Sequence, residues 1–505
     1  MCAPALLIGS LLGAAALLDV RGRLTRGWED ATTTFALPYR VPLAGVNAEL
    51  TQYTPDALDR HLALMADAGL TWVRQFFPWP EIEPARGAFD WAQWDRIVEA
   101  VDAHGLKLVA VLDDSPGWSH APDGARADLP YLPPADAADF AAFARAFAAR
   151  YGARVDVYQI WDEPNLKAHW GERPSQPAGY VNLLCAAYDA IHAADAEATV
   201  LAAALAPTTE TGPDNLSDTL YLRAMYGHGA AGCFDGAAGK PYGFDDGPYD
   251  RRVSESLLNF SRLILLREIM VEHGDGEKPV WGSHFGWNAL PDGWAGPPSI
   301  WGAVSAEAQA SYTAGAYARA RDEWPWLGGL ILHHWQPDAP TDDPQWGFAV
   351  VGPDGGPGAL LDTFPPPEPD AMPGRYPARN PYVAYTGVWS FSEFGGDMGT
   401  AGDSAFTFNF AAPSVALELR RYVYNAYFYV TVDGAPARAL PKDTEGRAYI
   451  VLNSPDDSHT TDLVVVAAGL DPAPHVMHAV GGGGMGWAVG ARRVPRRRAA
   501  RPRLL

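Results

Sequence analysis

From about residue 40 the apolar positions fall into two alternating rhythms. One is helical. In "TPDALDRHLALMADAG" (54–69), Thr54 stands where an N-cap belongs, Pro55 takes the first helical position, Leu58, Leu62 and Met65 share a face, and Gly69 ends the turn. The other rhythm is a short, largely apolar strand, and "LTWVRQF" (70–76) follows as the first example. The pair recurs: "FDWAQWDRIVEAVDAHG" (89–105) before "LKLVAVL" (106–112), then "ADFAAFARAFAARYG" (138–152) before "VDVYQIW" (155–161). In the last of these helices Phe140, Phe143 and Phe147 lie at helical spacing. Further strands are read at "TVLAAALAP" (199–207), "FDGAA" (234–238), "KPVWGS" (278–283) and "LGGLILHHW" (327–335), with a long helix around "ESLLNFSRLILLREIMVEHG" (255–274). "RVPLAGVN" (40–47) makes eight.

Continuous apolar strands separated by helices predict a parallel sheet covered on both faces. Eight such units over residues 38–352 predict a (β/α)8 TIM barrel with long loops. A doubly wound open sheet is the alternative, but no glycine-rich phosphate loop follows the first strand. Residues 353–381, rich in Pro and Gly, read as a linker. Beyond them, over 382–490, short alternating strands such as "AFTFNF", "VALELR", "FYVTVDG", "RAYIVL" and "DLVVVAAGL" predict an all-β sandwich domain. Phe406, Phe408 and Phe410 share one face of the first. Packing on the barrel and glycan binding are the two roles open to this domain.

Composition narrows the function. The 505 residues suit two domains, and 48% hydrophobic with 19% charged residues marks a globular chain. A net charge of −22 excludes nucleic acid as a partner over most of the surface. The one basic concentration, residues 491–505, has no apolar face and reads as a tail. The apolar run 3–18, within an N-terminal segment 1–30, is shorter than the about 20 residues of a membrane span and lacks a positive leading region. Cleaved signal and membrane remnant both stay open, and with them an extracellular or cell-surface location or a membrane association. Cys2, Cys185 and Cys233 show no disulfide framework and no metal-ligand spacing, so they are expected as free or buried thiols. No metal or cofactor is expected. His333 and His334 suggest a metal pair only superficially, because adjacent strand residues point to opposite faces.

Candidate chemistry sits where strands end, since the mouth of such a barrel is built there. "QIWDEPN" places Asp162 and Glu163 after the fourth strand, stopped by Pro164. "WDEPN" resembles the acid/base motif of the clan A glycoside hydrolases, and "WVRQFFPWPEIEPARGAFDWAQWDRIV" is similar to the strand-2 region of families 5, 39 and 42. The resemblance runs along most of residues 40–350. It implies Glu163 as general acid/base, with Arg74, Asp162, Tyr242 of "KPYG" and Trp335 of the eighth strand around the sugar. Trp118 and His120 of "SPGWSH" and Trp287 are further sugar-binding candidates, as are Trp79, Trp294 and Trp346.

One departure is decisive. Where the clan has a nucleophilic Glu, in patterns such as "PVWVTEFGW", this chain reads "PVWGSHFGW", with His284 in its place. A neutral imidazole brings no negative charge to an oxocarbenium ion. Lys240 adds positive charge beside it. Three expectations stay open: hydrolysis of an oligo- or polysaccharide with another carboxylate (Asp338, Asp342 or Asp343), an anion pocket of Lys240 and His284 for a uronic acid, phosphate or sulfate, or glycan binding without cleavage.

Overall fold

The computed structural model describes residues 20–28, 38, 40–120, 129, 131–291, 293–365, 369–378, 380, 382–392, 395–399, 404–454 and 458–483. The apolar run 3–18, Cys2 and the basic tail lie outside them. The chain forms two compact units, residues 1–382 with 391–396 and residues 383–390 with 397–505.

The first unit is the barrel. Its eight parallel strands pair in chain order and close on themselves: β1 (Ala44–Asn47), β2 (Trp72–Pro78), β3 (Lys107–Asp113), β4 (Val155–Asp162), β5 (Thr199–Leu205), β6 (Gly236–Gly239), β7 (Val280–Phe285) and β8 (Leu327–Leu332). Helices Pro55–Asp67, Ala92–Ala103, Ala137–Tyr151, Pro177–Ala194, Asp218–Gly227, Leu263–Glu272 and Ala306–Glu323 lie between them in sequence. Thr54 stands at the N-cap of the first but its side chain makes no cap bond, so Pro55 marks the start. The apolar helix faces meet the outer strand faces: Phe77, Trp94 and Phe147 pack together there, and so do Phe147 and Tyr158. Inside the barrel a separate layer contains Trp72, Val109, Val157, Leu201, Ala204, Ala238, Trp281 and Ile331, the two tryptophans edge to face at 5.2 Å. This packed plug closes the interior below the strand ends and leaves chemistry to the mouth.

Three expectations are corrected. The long helix near residue 260 is shorter, Leu263–Glu272 after a 3-10 turn at Phe260–Arg262. Buried Arg262 grips both oxygens of Asp218 and the carbonyls of Glu255 and Leu257, which holds the preceding residues out of helix. The stretch 353–381 includes a short helix, Ala359–Thr363, whose Leu360 is buried in the barrel unit's core together with Phe364. Cys185 and Cys233 form a disulfide. They are 48 residues apart, but the helix after β4 and the turn before β6 are neighbours around the barrel, a closeness that sequence spacing hides.

The second unit is antiparallel. A six-stranded sheet orders Ala435–Pro436, Val423–Val432, Pro474–Gly483, Ala405–Ala411 and Val383–Thr386, with Tyr449–Asn453 paired to Val423–Val432. Ser414–Arg421 and Thr460–Ala468 form a second, two-stranded sheet. Phe406 packs on Phe428, and Phe408 stacks on Phe410.

Candidate active site

The end of β4 breaks the alternation of a strand. Gln159 points into the barrel, where its Oε1 accepts from Arg74. Strict alternation would turn Trp161 the same way and Asp162 outward. Instead Trp161 adopts φ 68° and packs outward against Phe140 and Trp170, while Asp162 turns in. Glu163 also lies in the left-handed region, at φ 49°. Two bulky residues in that region within three positions constitute backbone strain on the order of 1–3 kcal/mol each. Asn165 secures the turn: its Nδ2 donates to the carbonyls of Ala206 and Leu216, and its Oδ1 accepts from the Ala206 N–H.

The two carboxylates meet two cations. Asp162 Oδ1 accepts from Arg74 Nη2 at 2.8 Å and from Gln159 Nε2 at 3.0 Å, and its Oδ2 accepts from Lys240 Nζ at 2.7 Å. Lys240 Nζ also donates to Glu163 Oε1 at 2.7 Å. The second oxygen of Glu163 lies 3.1 Å from His169 Nε2. Burial pushes Asp162 up, but Lys240 and Arg74 overcome it and hold this carboxyl below the ordinary range. At the end of β3, burial and then the charge of Asp162 push the Asp113 carboxyl well above that range.

His284 faces Arg74 from the other side. Its Nε2 is 3.3 Å from Arg74 Nη1, and its Nδ1 is 3.2 Å from Ser283 Oγ. A guanidinium only donates, so Nε2 must carry the lone pair and Nδ1 the proton. Burial, then Lys240 and Arg74, keep this imidazole neutral far below its usual titration. The lone pair that could attack a sugar is therefore already an acceptor. Arg74 is completed by Asn47 at the end of β1, whose Oδ1 accepts at 2.9 Å.

Tyr242 follows β6, and the Gly243 N–H donates to the Gly286 carbonyl after β7. Burial, then the charges of Glu163 and Asp162, keep its phenol protonated. Its ring stands 5.4 Å from that of His333 and 6.0 Å from that of Trp301.

The structure thus gathers Arg74, Asp162, Glu163, Lys240, His284 and Tyr242 at one mouth. The remaining candidates are held by contacts of their own. Trp287 is fully buried against Phe260, its Nε1 bonded to the Asp246 carbonyl, and it fills the space where any side chain at Gly243 would go. Trp335 is likewise buried, its Nε1 donating to His61 on the first helix. Trp118 bonds the Glu83 carbonyl under Arg86, and His120 bonds Ser115. Trp79 is buried on Phe143, whereas Trp294 and Trp346 bond carbonyls of their own loops. Asp338 donates its N–H to Glu49, and Asp343 caps the turn Pro344–Phe348. His334 sits 3.5 Å from Glu49. Among the described residues no group of three or more His, Cys, Asp or Glu could hold a metal ion.

Sequence reading missed Asn47, Gln159, His169, Asp113 and Trp301 as neighbours of this site, and took His333 only as half of a metal pair. Asn47, Asp113 and His333 end strands, so the strand-end rule could have found them. His169 and Trp301 come from loops and carry no such signal.

Comparison with known proteins relates part of this barrel to sugar-cleaving enzymes. Residues 49–113 match the family-42 glycoside hydrolases, described as β-galactosidase. Over 52 residues the chain is 44% identical to β-galactosidase Bga of Halorubrum lacusprofundi, a match covering 10% of this chain and 7% of that relative. Among solved structures, a family 39 glycoside hydrolase from Bacteroides cellulosilyticus shows 16% identity over 88% of this chain and 81% of its own, at a TM-score of 0.48. A monomeric β-xylosidase from Caulobacter crescentus shows 14% identity over 88% of this chain and 97% of its own, also at 0.48.

Proposed function

We propose that this protein is a glycoside hydrolase that cleaves O-glycosidic bonds of an oligo- or polysaccharide, with Glu163 as its general acid/base. The observation that carries the reading is the strained end of β4, which turns Asp162 and Glu163 together into the barrel mouth. Their facing oxygens each lie 2.7 Å from one ammonium nitrogen, hence no more than twice that distance apart. That upper bound of about 5.4 Å keeps the two carboxylates no farther apart than a working retaining pair, about 5–5.5 Å. Asp162, ionised between Arg74 and Lys240, supplies the negative charge that His284 does not. Glu163 gives a proton to the leaving oxygen, and half-exposed His169 on its second oxygen returns one from solvent. β-Galactosides and β-xylosides, the substrates named for the relatives, are the first to try.

A second reading, glycan binding without cleavage, is favoured by two specific contacts: Lys240 stands between the carboxylates, and Arg74 occupies the lone pair of His284. One assay separates the two. Turnover of aryl β-glycosides and polysaccharide mixtures is expected for the wild type and is expected to fall at least 100-fold in Glu163→Gln. Absent turnover in both, with glycan binding retained, would establish the second reading. His284→Glu, which places a carboxylate beside Arg74, is expected to raise turnover. The Cys185–Cys233 disulfide supports an oxidising location, extracellular or at the cell surface.

A further inference from the structure

The cluster beside Tyr242 carries a feature that the chemistry above does not use. His333, directly after β8, is only 8% exposed, and neither of its ring nitrogens has a hydrogen-bond partner among the described residues. Its neighbours are ring faces and edges: Phe348 at 4.7 Å, His284 at 5.1 Å, Tyr242 at 5.4 Å and Trp301 at 6.0 Å. A buried polar group left without partners in this way calls for a ligand that brings them.

Trp301 stands at the open side of this cluster. It is half-buried, and the loop that carries it is fixed rather than loose. Its N–H donates to Ser299 Oγ at 3.0 Å. The next residue, Gly302, has φ 78°, and a side chain there would meet Asp245 Oδ1 at 2.5 Å. That same oxygen accepts from the Ala303 N–H at 3.1 Å. The loop after β7 is thus seated on the loop after β6, and Trp301 is set 5.4 Å from Phe348 and 6.0 Å from Tyr242.

We infer that Trp301 and His333 form a subsite for one ring of a neutral sugar, Trp301 as the stacking face and His333 as partner to two of its hydroxyls. The inference rests on the reading of this mouth as a carbohydrate site and names the class of sugar. An imidazole with one N–H and one lone pair gives and takes a hydrogen bond, which matches a pair of hydroxyls. Neutrality follows from the charges around it. Arg74 and Lys240 are each already bonded to Asp162, and Lys240 to Glu163 as well, so a uronate carboxylate would have to break those pairs. The anion pocket expected of Lys240 and His284 is closed for the same reason. Burial first, then the neighbouring His334, Lys240 and Arg74, keep His333 uncharged. Trp335, the tryptophan that the resemblance sets under the sugar, is buried on His61 and leaves this role to a loop residue.

Calorimetric titration of the full chain tests this with S-linked analogues of cellobiose, lactose and xylobiose, which are not cut, and with digalacturonate. The wild type is expected to bind at least one neutral analogue more tightly than digalacturonate. Trp301→Ala should weaken that binding roughly tenfold or more and Trp301→Phe much less, because the phenyl keeps a flat face. His333→Leu should weaken it roughly tenfold, with His333→Asn between it and the wild type, and thermal melting of each variant confirms folding. Unchanged affinity in Trp301→Ala and His333→Leu, or a preference for digalacturonate, overturns the subsite while leaving the carbohydrate reading in place. No binding of any of the four sugars by the wild type overturns both.

Discussion

Lys240 decides how the two acids beside it behave. Its ammonium, with a side chain 5% exposed, neutralises a pair that Arg74 alone could not. Removing one partner of a buried ion network leaves the others uncompensated, at about 3–5 kcal/mol. Lys240→Met should therefore lower the free energy of unfolding by about 3 kcal/mol. The double variant Lys240→Met, Asp162→Asn removes one charge of each sign and should recover a large part of that loss. Urea denaturation of the four proteins in this cycle reads the coupling directly. Equal losses in the single and double variants would show that Lys240 acts through packing instead.

At the level of elements, the end of β4 is where the fold and the chemistry meet. The turn holds its strained φ angles because Asn165 ties it to both ends of the loop after β5. Asn165→Ala orphans the buried Ala206 N–H and two carbonyls, and about 3 kcal/mol of stability should go with them. A shift of the urea midpoint checks it. The strands themselves were legible because each is a short, mostly apolar run between helices, and the helices because their apolar residues recur at helical spacing. The site was legible only where motif residues lie within or directly after strands, as with Arg74, Asp162 and Glu163. Trp335 and Trp287 show the limit: an aromatic near a strand end can face the helical layer, and the sequence carries no sign of which way it turns. The inward turn of Asp162 depends on a left-handed Trp161, a conformation that no residue preference announces.

For the molecule as a whole, the one covalent cross-link of the described residues sits away from the mouth, between the helix Pro177–Ala194 and the turn before β6. Closing a loop of 48 residues is worth about 4 kcal/mol in the chain-entropy account. Reduction, or Cys185→Ser, should lower the melting temperature by roughly 5 °C. The same bond has a consequence for cleavage. The exposed crest 209–214, between β5 and the next helix, lies inside the span that the two sulfurs close. A protease that nicks this crest would leave both fragments tethered. They would migrate as one band on a non-reducing gel and separate into two once a thiol is added.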